Sequence, residues 1–363
     1  MIDAPFSFFI AFLGLLGGFA IGFAARQSNF CTLGAIEETY YGTERSRLRT
    51  WVLAVGVALA GTQLLDFAGI IDLNQSFYLD PELRLLGSVI GGMLFGLGMA
   101  LVGTCAFGML VRAGGGDMRS LVSILMLGIV GYTTANGIFA YFGFYVVVPS
   151  NIALENATSS SISSLFFGDS QTAHLAVVLV LTIASIGWAM SSRRFLANKP
   201  AIISGVVIGL VIVYGWWVTA KYGQSGFERV QFESYRFARP IGDTLMYVMT
   251  FSGATITFPI GGALGVLFGA FVASMLNGSF RFEAFDDAKE MRRHFGGASL
   301  MGIGSIFALG CTIGQGMSGV STLSINSFVT VAAIAFSAWL GIRYLIEGEI
   351  PSFIQTISGI FKR

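Results

Sequence analysis

The sequence predicts an all-α polytopic membrane protein, with nine transmembrane helices and four short re-entrant helices in an inverted-repeat hourglass. Three observations predict it. Charged residues make up only 11% of the chain and hydrophobic ones 54%, with mean hydropathy +0.75, against about 25% charged in a soluble domain. Apolar runs of roughly 18 to 25 residues recur along the length, enough for a helix to cross hydrocarbon. Continuous runs also exclude the alternating pattern of a membrane β-barrel. Finally, one frame occurs three times: Gly, a second Gly five residues on, Cys nine further, Gly three further. It reads Gly17, Gly22, Cys31, Gly34; then Gly91, Gly96, Cys105, Gly108; then Gly297, Gly302, Cys311, Gly314. The chain has three cysteines, and each holds the same place in this frame.

The spans are expected at 6–25, 51–71, 84–104, 120–148, 171–191, 200–220, 258–277, 296–310 and 326–346. The N-terminus lacks the basic region of a cleaved signal, so the first apolar run is read as retained. Connectors set the orientation. Arg45, Arg47 and Arg49 follow span one, Arg112 and Arg119 span three, and Arg193, Arg194 and Lys199 span five. Arg281, Lys289, Arg292 and Arg293 follow span seven, and the chain ends Lys362, Arg363. Asp72, Asp80 and Glu82 follow span two, and Pro149–Ser170 after span four has no Lys or Arg. The positive-inside rule then predicts an outside N-terminus and an inside C-terminus. The connector Lys221–Asp243 stands out, because it should lie outside yet holds Lys221, Arg229, Arg236 and Arg239. Either Glu228, Glu233 and Asp243 neutralise them locally, or they form an electropositive outer mouth that gathers anions.

The first two cysteine frames follow spans running inward, and the Cys311 frame follows one running outward. A pattern present in both directions is the trace of an inverted-topology repeat. The chain accordingly divides into an N-terminal half 1–148, a connector 149–199 with one extra span, and a C-terminal half 200–363. A fourth unit is expected after span six, where Arg239–Gly242 takes the place of Cys-x-x-Gly. Short apolar segments follow each frame at Thr32–Tyr41, Ala106–Ala113 and Thr312–Leu323, with Thr244–Gly253 in the fourth unit. Runs this short, flanked by glycine, read as re-entrant half-helices.

Net charge +1 says nothing about nucleic acid, and no basic tract suggests it. Two histidines, His174 and His294, and no Cys-x-x-Cys leave no zinc or haem pattern, and three cysteines make no disulfide scaffold. No cofactor is expected. The site is instead expected where half-helix N-termini offer unpaired N–H groups and partial positive charge to an anion. Asn29, Thr32, Thr104, Thr312 and Gln315 flank the cysteines as uncharged donors, and Arg239 supplies a cation at the outer mouth. A buried thiol stays neutral and is a soft, weak donor, suited to a polarizable sulfur-bearing anion. A single membrane cysteine usually packs as a small hydrophobe; three at one repeated position argue for more. The glycines are read as helix packing, Arg26 and Arg112 as interfacial anchors, Glu37 and Glu38 as solvated, and both histidines as lacking partners.

The segments SNFCTLGAIEE, GMALVGTCAFGMLVRAGGGD and FALGCTIGQGMSG resemble the signatures of the YeeE/YedE family, bacterial inner-membrane sulfur transporters that take up thiosulfate. The resemblance runs from about Gly14 to Arg343. It implies an hourglass with nine spans and four re-entrant helices, and thiosulfate passed along Cys31, Cys105 and Cys311 by transient S–H···S hydrogen bonds. It also implies a TusA-like sulfur carrier, which would be separately encoded, and it leaves selenium compounds as a further substrate class. A different class of function is a membrane sulfurtransferase holding sulfur as a cysteine persulfide. That needs a thiolate, and no base stands in any cysteine frame. No acidic pair or histidine relay announces proton coupling, and no GxxxxGK[ST] loop is present.

Overall fold

The computed structural model describes residues 4–42, 45–153, 159–167, 170–223, 231–251 and 253–347. Arg229, Lys362 and Arg363 lie outside them. The principal helices are α1 (Ala4–Ser28), α2 (Thr32–Tyr41), α3 (Ser46–Phe67), α4 (Leu85–Val102), α5 (Ala106–Gly114) and α6 (Met118–Asn136). They continue as α7 (Gln171–Met190), α8 (Lys199–Gly223), α9 (Ala238–Met249), α10 (Phe258–Leu276), α11 (Ala288–Phe307) and α12 (Ile325–Glu347). A π-helical segment, Gly314–Gly319, stands between α11 and α12. The only paired strands among the described residues are the two-residue β1 (Glu82–Leu83) and β2 (Ile152–Ala153), antiparallel.

Eight helical stretches among the described residues are long and apolar enough to cross a membrane: α1 with α2, α3, α4 with α5, α6, α7, α8, α10 and α12. The chain is thus an all-α polytopic membrane protein. The eighth predicted span, 296–310, corresponds to α11, which starts eight residues before 296 and carries Lys289, Glu290, Arg292 and Arg293 in its first turns. Its 20 residues still give a rod of about 30 Å, packed on α4 and α6. Asp287 sets its start by accepting the Glu290 N–H. The fourth span is shorter than 120–148: α6 stops at Asn136 with Gly137 as its cap. Broken helical turns follow, through Gly143 and Pro149.

Glycines decide which helices touch. A Cβ on Gly14, Gly18 or Gly22 of α1 would come within 2.3, 2.2 and 2.2 Å of the carbonyl oxygens of Phe258, Gly262 and Val266. Gly261, Gly265 and Gly269 of α10 face Ala11, Leu15 and Phe19 in the same way. The two backbones therefore meet directly, the route by which helices associate where lipid removes the hydrophobic drive. Gly98 and Gly297 make the equivalent contact between α4 and α11.

Packing partners recur in pairs. The pair α1–α10 has its match in α3–α8, and α4–α12 in α6–α11. Likewise α5 lies on α10 as the π segment lies on α3, and α9 on α6 as α2 on α12. The basic connectors share one end of the bundle. There Arg26 donates to the Ser279 carbonyl (3.3 Å), Arg49 to the Trp188 carbonyl (2.6 Å), and Arg119 pairs with Asp117, Glu283 and Glu290. At the other end Ser160 donates to the Tyr78 carbonyl, Ile162 N–H to Leu323, and the Asn326 amide to the Glu82 carbonyl.

Candidate functional site

Cys-x-x-Gly is a helix-capping unit. Cys31 is the N-cap of α2, and its Sγ accepts the Gly34 N–H at 3.5 Å. Cys105 caps α5, accepting from Gly108 at 3.4 Å. Cys311 accepts from Gly314 at 3.5 Å, where the π segment starts. In each case the side chain meets one of the N–H groups a helix start leaves unpaired. The sulfur is thereby fixed at the positive end of a short helix.

The fourth unit follows another rule. α9 begins at Ala238, with Phe237 at the N-cap and no side-chain cap, so the expected half-helix at Thr244–Gly253 starts six residues earlier. Arg239 lies inside its first turn, and Phe237 takes the position that cysteine holds elsewhere. Three residues on stands Pro240, which has no N–H to offer a thiol, and its missing donor costs nothing in a first turn.

These helix starts converge. The Phe107 ring lies 5.1 Å from Phe237 and 6.2 Å from Phe30, centroid to centroid. Cys105 interacts electrostatically with both Cys31 and Cys311 and lies beside the Thr312 hydroxyl. Thr104 Oγ1 is 3.8 Å from Cys31 Sγ. Cys105 and Cys311 are 0% exposed, whereas Cys31 is half-buried. Cys105 therefore stands near both other cysteines, with Thr312 beside it and Thr104 beside Cys31. The Thr32 and Thr312 hydroxyls, both buried, have no hydrogen-bond partner among the described residues.

Cations flank the two ends of this row. Gly314 packs against Arg236, whose Cβ would lie 3.0 Å from an added glycine Cβ, and against the Tyr78 hydroxyl at 3.5 Å. That hydroxyl lies among Arg236, Glu233 and Cys311 and is also unpartnered among the described residues. Gly34 packs against Arg47, whose Nη1 would come within 2.6 Å of an added Cβ. Arg236 forms a buried ion pair with Glu233 and lies over the Phe77 ring. Burial pushes the Glu233 carboxyl up, and the adjacent Arg236 guanidinium opposes that shift. The Arg47 guanidinium has no ion-pair partner among the described residues; the neighbouring Glu38 instead accepts the Arg47 backbone N–H.

Several expected contacts lie elsewhere. Asn29 sits exposed in the left-handed turn after α1 (φ 53). Gln315 is a bracket, donating to the Ala308 carbonyl (2.6 Å) and accepting from Ser327 (2.6 Å). Arg239 is half-exposed and 3.8 Å from Asp243. It lines a cavity of about 380 Å³ with Glu233, Arg236 and Asp243. In that connector, Glu233 pairs with Arg236 and Asp243 stands near Arg239. Arg112 caps α4 by donating to the Gly103 carbonyl. Both histidines have partners, correcting the expectation: His174 bonds Ser163 and Gln63, and His294 bonds Ser123. Tyr78 carries no sequence signal of its place. Arg47 and Arg236 read only as members of basic clusters, and their position against Cys-x-x-Gly glycines is visible in three dimensions alone.

The chain is 24% identical over 356 residues to "Thiosulfate transporter TsuA" of Escherichia coli, covering 92% of this chain and 91% of that protein. It is also 24% identical over 339 residues to "Thiosulfate transporter TsuA" of Spirochaeta thermophila, covering 90% and 96%. The family model for sulphur transport matches residues 27–340, a stretch containing all three cysteine caps. This protein belongs to the sulphur transport (YeeE/YedE) family.

Proposed function

We propose that this protein imports thiosulfate across the bacterial inner membrane, handing it along Cys311, Cys105 and Cys31. The observation that carries the reading is the meeting of three cysteine-capped helix starts in one buried row. Each sulfur accepts a backbone N–H, and that polarisation strengthens the S–H as a donor to an anion. The helix termini favour negative charge, and a neutral thiol does not repel it. The sulfane end of thiosulfate is large and polarizable, and so matches sulfur donors better than a hard oxyanion does. The unpartnered hydroxyls of Tyr78, Thr312 and Thr32 stand along the row as further donors.

The basic connectors face the cytoplasm in this reading, with the N-terminus outside. Arg236 and Tyr78 then receive the anion, and Arg47 draws it out beyond Cys31. The paired packing pattern supports two inverted halves, 1–148 and 200–347, related by a pseudo-twofold axis in the membrane plane. Because Cys105 and Cys311 are sealed, passage needs the Phe30, Phe107 and Phe237 rings to part. A dianion entering an inside-negative cell climbs about 2.3 kcal/mol per charge per 100 mV. Consumption by a cytoplasmic sulfur acceptor, a TusA-like carrier among them, supplies the pull.

The test is thiosulfate uptake in a sulfur-auxotrophic strain expressing wild type and each Cys→Ser variant. Uptake by wild type, lost in the Cys105→Ser and Cys311→Ser variants, supports the relay. No uptake by wild type rejects the substrate. Equal uptake by all variants returns the thiols to a capping role. A persulfide surviving on a cysteine after thiosulfate exposure favours a sulfurtransferase instead.

A further inference from the structure

The residue two places before each cysteine has left-handed backbone: Asn29 at φ 53, Gly103 at φ 79 and Leu309 at φ 54. Glycine and asparagine enter that region readily, but the Cβ of leucine is crowded there. A second leucine, Leu323, has φ 61 and is 0% exposed. Asn29 and these two leucines are the non-glycine residues with positive φ among the described residues. Leu309 follows the end of α11 and Leu323 precedes α12, so the strained pair brackets the segment that carries Cys311.

The turns between them also differ from those of the other two cysteine units. α2 and α5 are α-helical, whereas Gly314–Gly319 is π-helical, with the Ser318 N–H donating to the Ile313 carbonyl at 3.1 Å. Such turns are rare and concentrate at functional sites. Polar contacts from distant elements hold the segment. Gln315 accepts from Ser327, Ser318 donates to the Tyr235 carbonyl (2.8 Å), and Ser321 accepts from Gln63 at its carbonyl (2.9 Å) and from Trp216 at its hydroxyl (3.2 Å). Strained backbone persists only where its surroundings over-determine it, and these bonds do so here. Leu309 lines a cavity of about 20 Å³ with Phe77, Tyr78 and Ser327, which leaves its side chain space as φ changes.

We infer that Leu309 and Leu323 are the pivots on which the Cys311 segment moves to open the sealed row, while the Cys31 unit stays in place. Hinges are element-terminal residues that absorb a change in φ and ψ, and these two stand at the ends of α11 and α12. Movement returns the leucines to negative φ, and that relief offsets the hydrogen bonds it breaks. The part this motion plays in uptake rests on the thiosulfate reading; the motion itself does not.

The experiment compares Leu309→Gly with Leu309→Ala in the purified full-length protein. Both remove the leucine side chain, and only alanine keeps the penalty for positive φ. The glycine variant is expected to favour the resting state and to melt about 1 to 2 °C above the alanine variant. Alkylation by iodoacetamide, read cysteine by cysteine from peptide masses, reports opening with no cargo present. Cys311 of the wild type is expected to label although it is 0% exposed. Leu309→Gly slows that labelling about 5- to 30-fold relative to Leu309→Ala, the factor set by the cost of left-handed backbone, and leaves labelling of Cys31 unchanged. Wild-type Cys311 that never labels, equal melts, equal Cys311 labelling in the two variants, or Cys31 slowed by the same factor overturns the pivots. Thiosulfate uptake falls in the same ratio, and equal uptake by variants whose labelling differs overturns the part of this motion in transport. The expected labelling in a wild type that takes up no thiosulfate supports the pivots and rejects the cargo.

Discussion

Replacing Cys105 by alanine separates the two jobs the structure gives this thiol. Its sulfur caps α5 through the Gly108 N–H at 3.4 Å, so its loss removes an N-cap and costs about 1 kcal/mol of stability. The residue is 0% exposed at the middle of the row, between Cys31 and Cys311, so no water enters to replace the missing donor. A hydrogen bond to a charged partner contributes about 1.5 to 3 kcal/mol. Taking that from the passing anion and not from the resting protein slows transport roughly 10- to 150-fold. Cys105→Ser provides the control, because serine is a good cap: its stability stays at the wild-type level while uptake still falls. The assay is radiolabelled thiosulfate uptake into proteoliposomes, with monodisperse elution and a thermal melt reporting folding. Uptake within twofold of wild type in a folded Cys105→Ala protein would refute the relay.

Other consequences are as specific. Cys31→Ala slows uptake less than Cys105→Ala, since Cys31 is half-buried and water substitutes for its thiol; an equal loss in the same proteoliposomes would contradict this. Arg47→Gln lowers uptake several-fold at low ionic strength and little at high salt, because an exposed charge is screened over about 8 Å at physiological ionic strength; a salt-independent defect would assign Arg47 a structural part. Arg236→Ala destabilises the protein by about 3 to 5 kcal/mol by leaving the buried Glu233 without its ion-pair partner, whereas Arg239→Gln leaves the melting temperature unchanged and raises the apparent KM. Comparable melts for these two variants would overturn that ranking. Burial raises the Asp117 pKa, but donation from Ser120 and Arg119 and the Arg119 charge outweigh it and hold the carboxyl below its ordinary value of 3.8. Its contribution is therefore complete above about pH 4 and lost as pH falls through the lower folded value. Asp117→Asn flattens the acid limb of the stability profile in that window, and an unchanged limb would show that other carboxylates govern it.

The sequence alone determined the solvent of this protein, since hydropathy and run length are one-dimensional and a spanning helix satisfies its own backbone. It also located two of the short helices. Thr32–Tyr41 matches α2, and Ala106 starts α5 as expected, because a helix start is written locally in its cap residue and in the glycine that donates to it. That local code is missing from the fourth unit. Phe237 and Pro240 carry no capping signature, and α9 starts six residues before the position its apolar run suggests. The charged first turns of α11 hid its start, because hydropathy does not register a helix beginning in the interface.

Only the tertiary structure decided that Cys31, Cys105 and Cys311, 74 to 280 residues apart in the chain, stand in one row, and that Tyr78, Arg236 and Arg47 stand beside its ends. Sequence spacing constrains neighbours within a few turns. Contacts between helices are set by which backbones approach, and here that choice belongs to glycines such as Gly18 and Gly98, whose partners across the bundle leave no trace beside them in the chain. The roles of Gln315 and the histidines were settled in the same way, by partners such as Ser327, Gln63 and Ser123 that packing brings from distant segments.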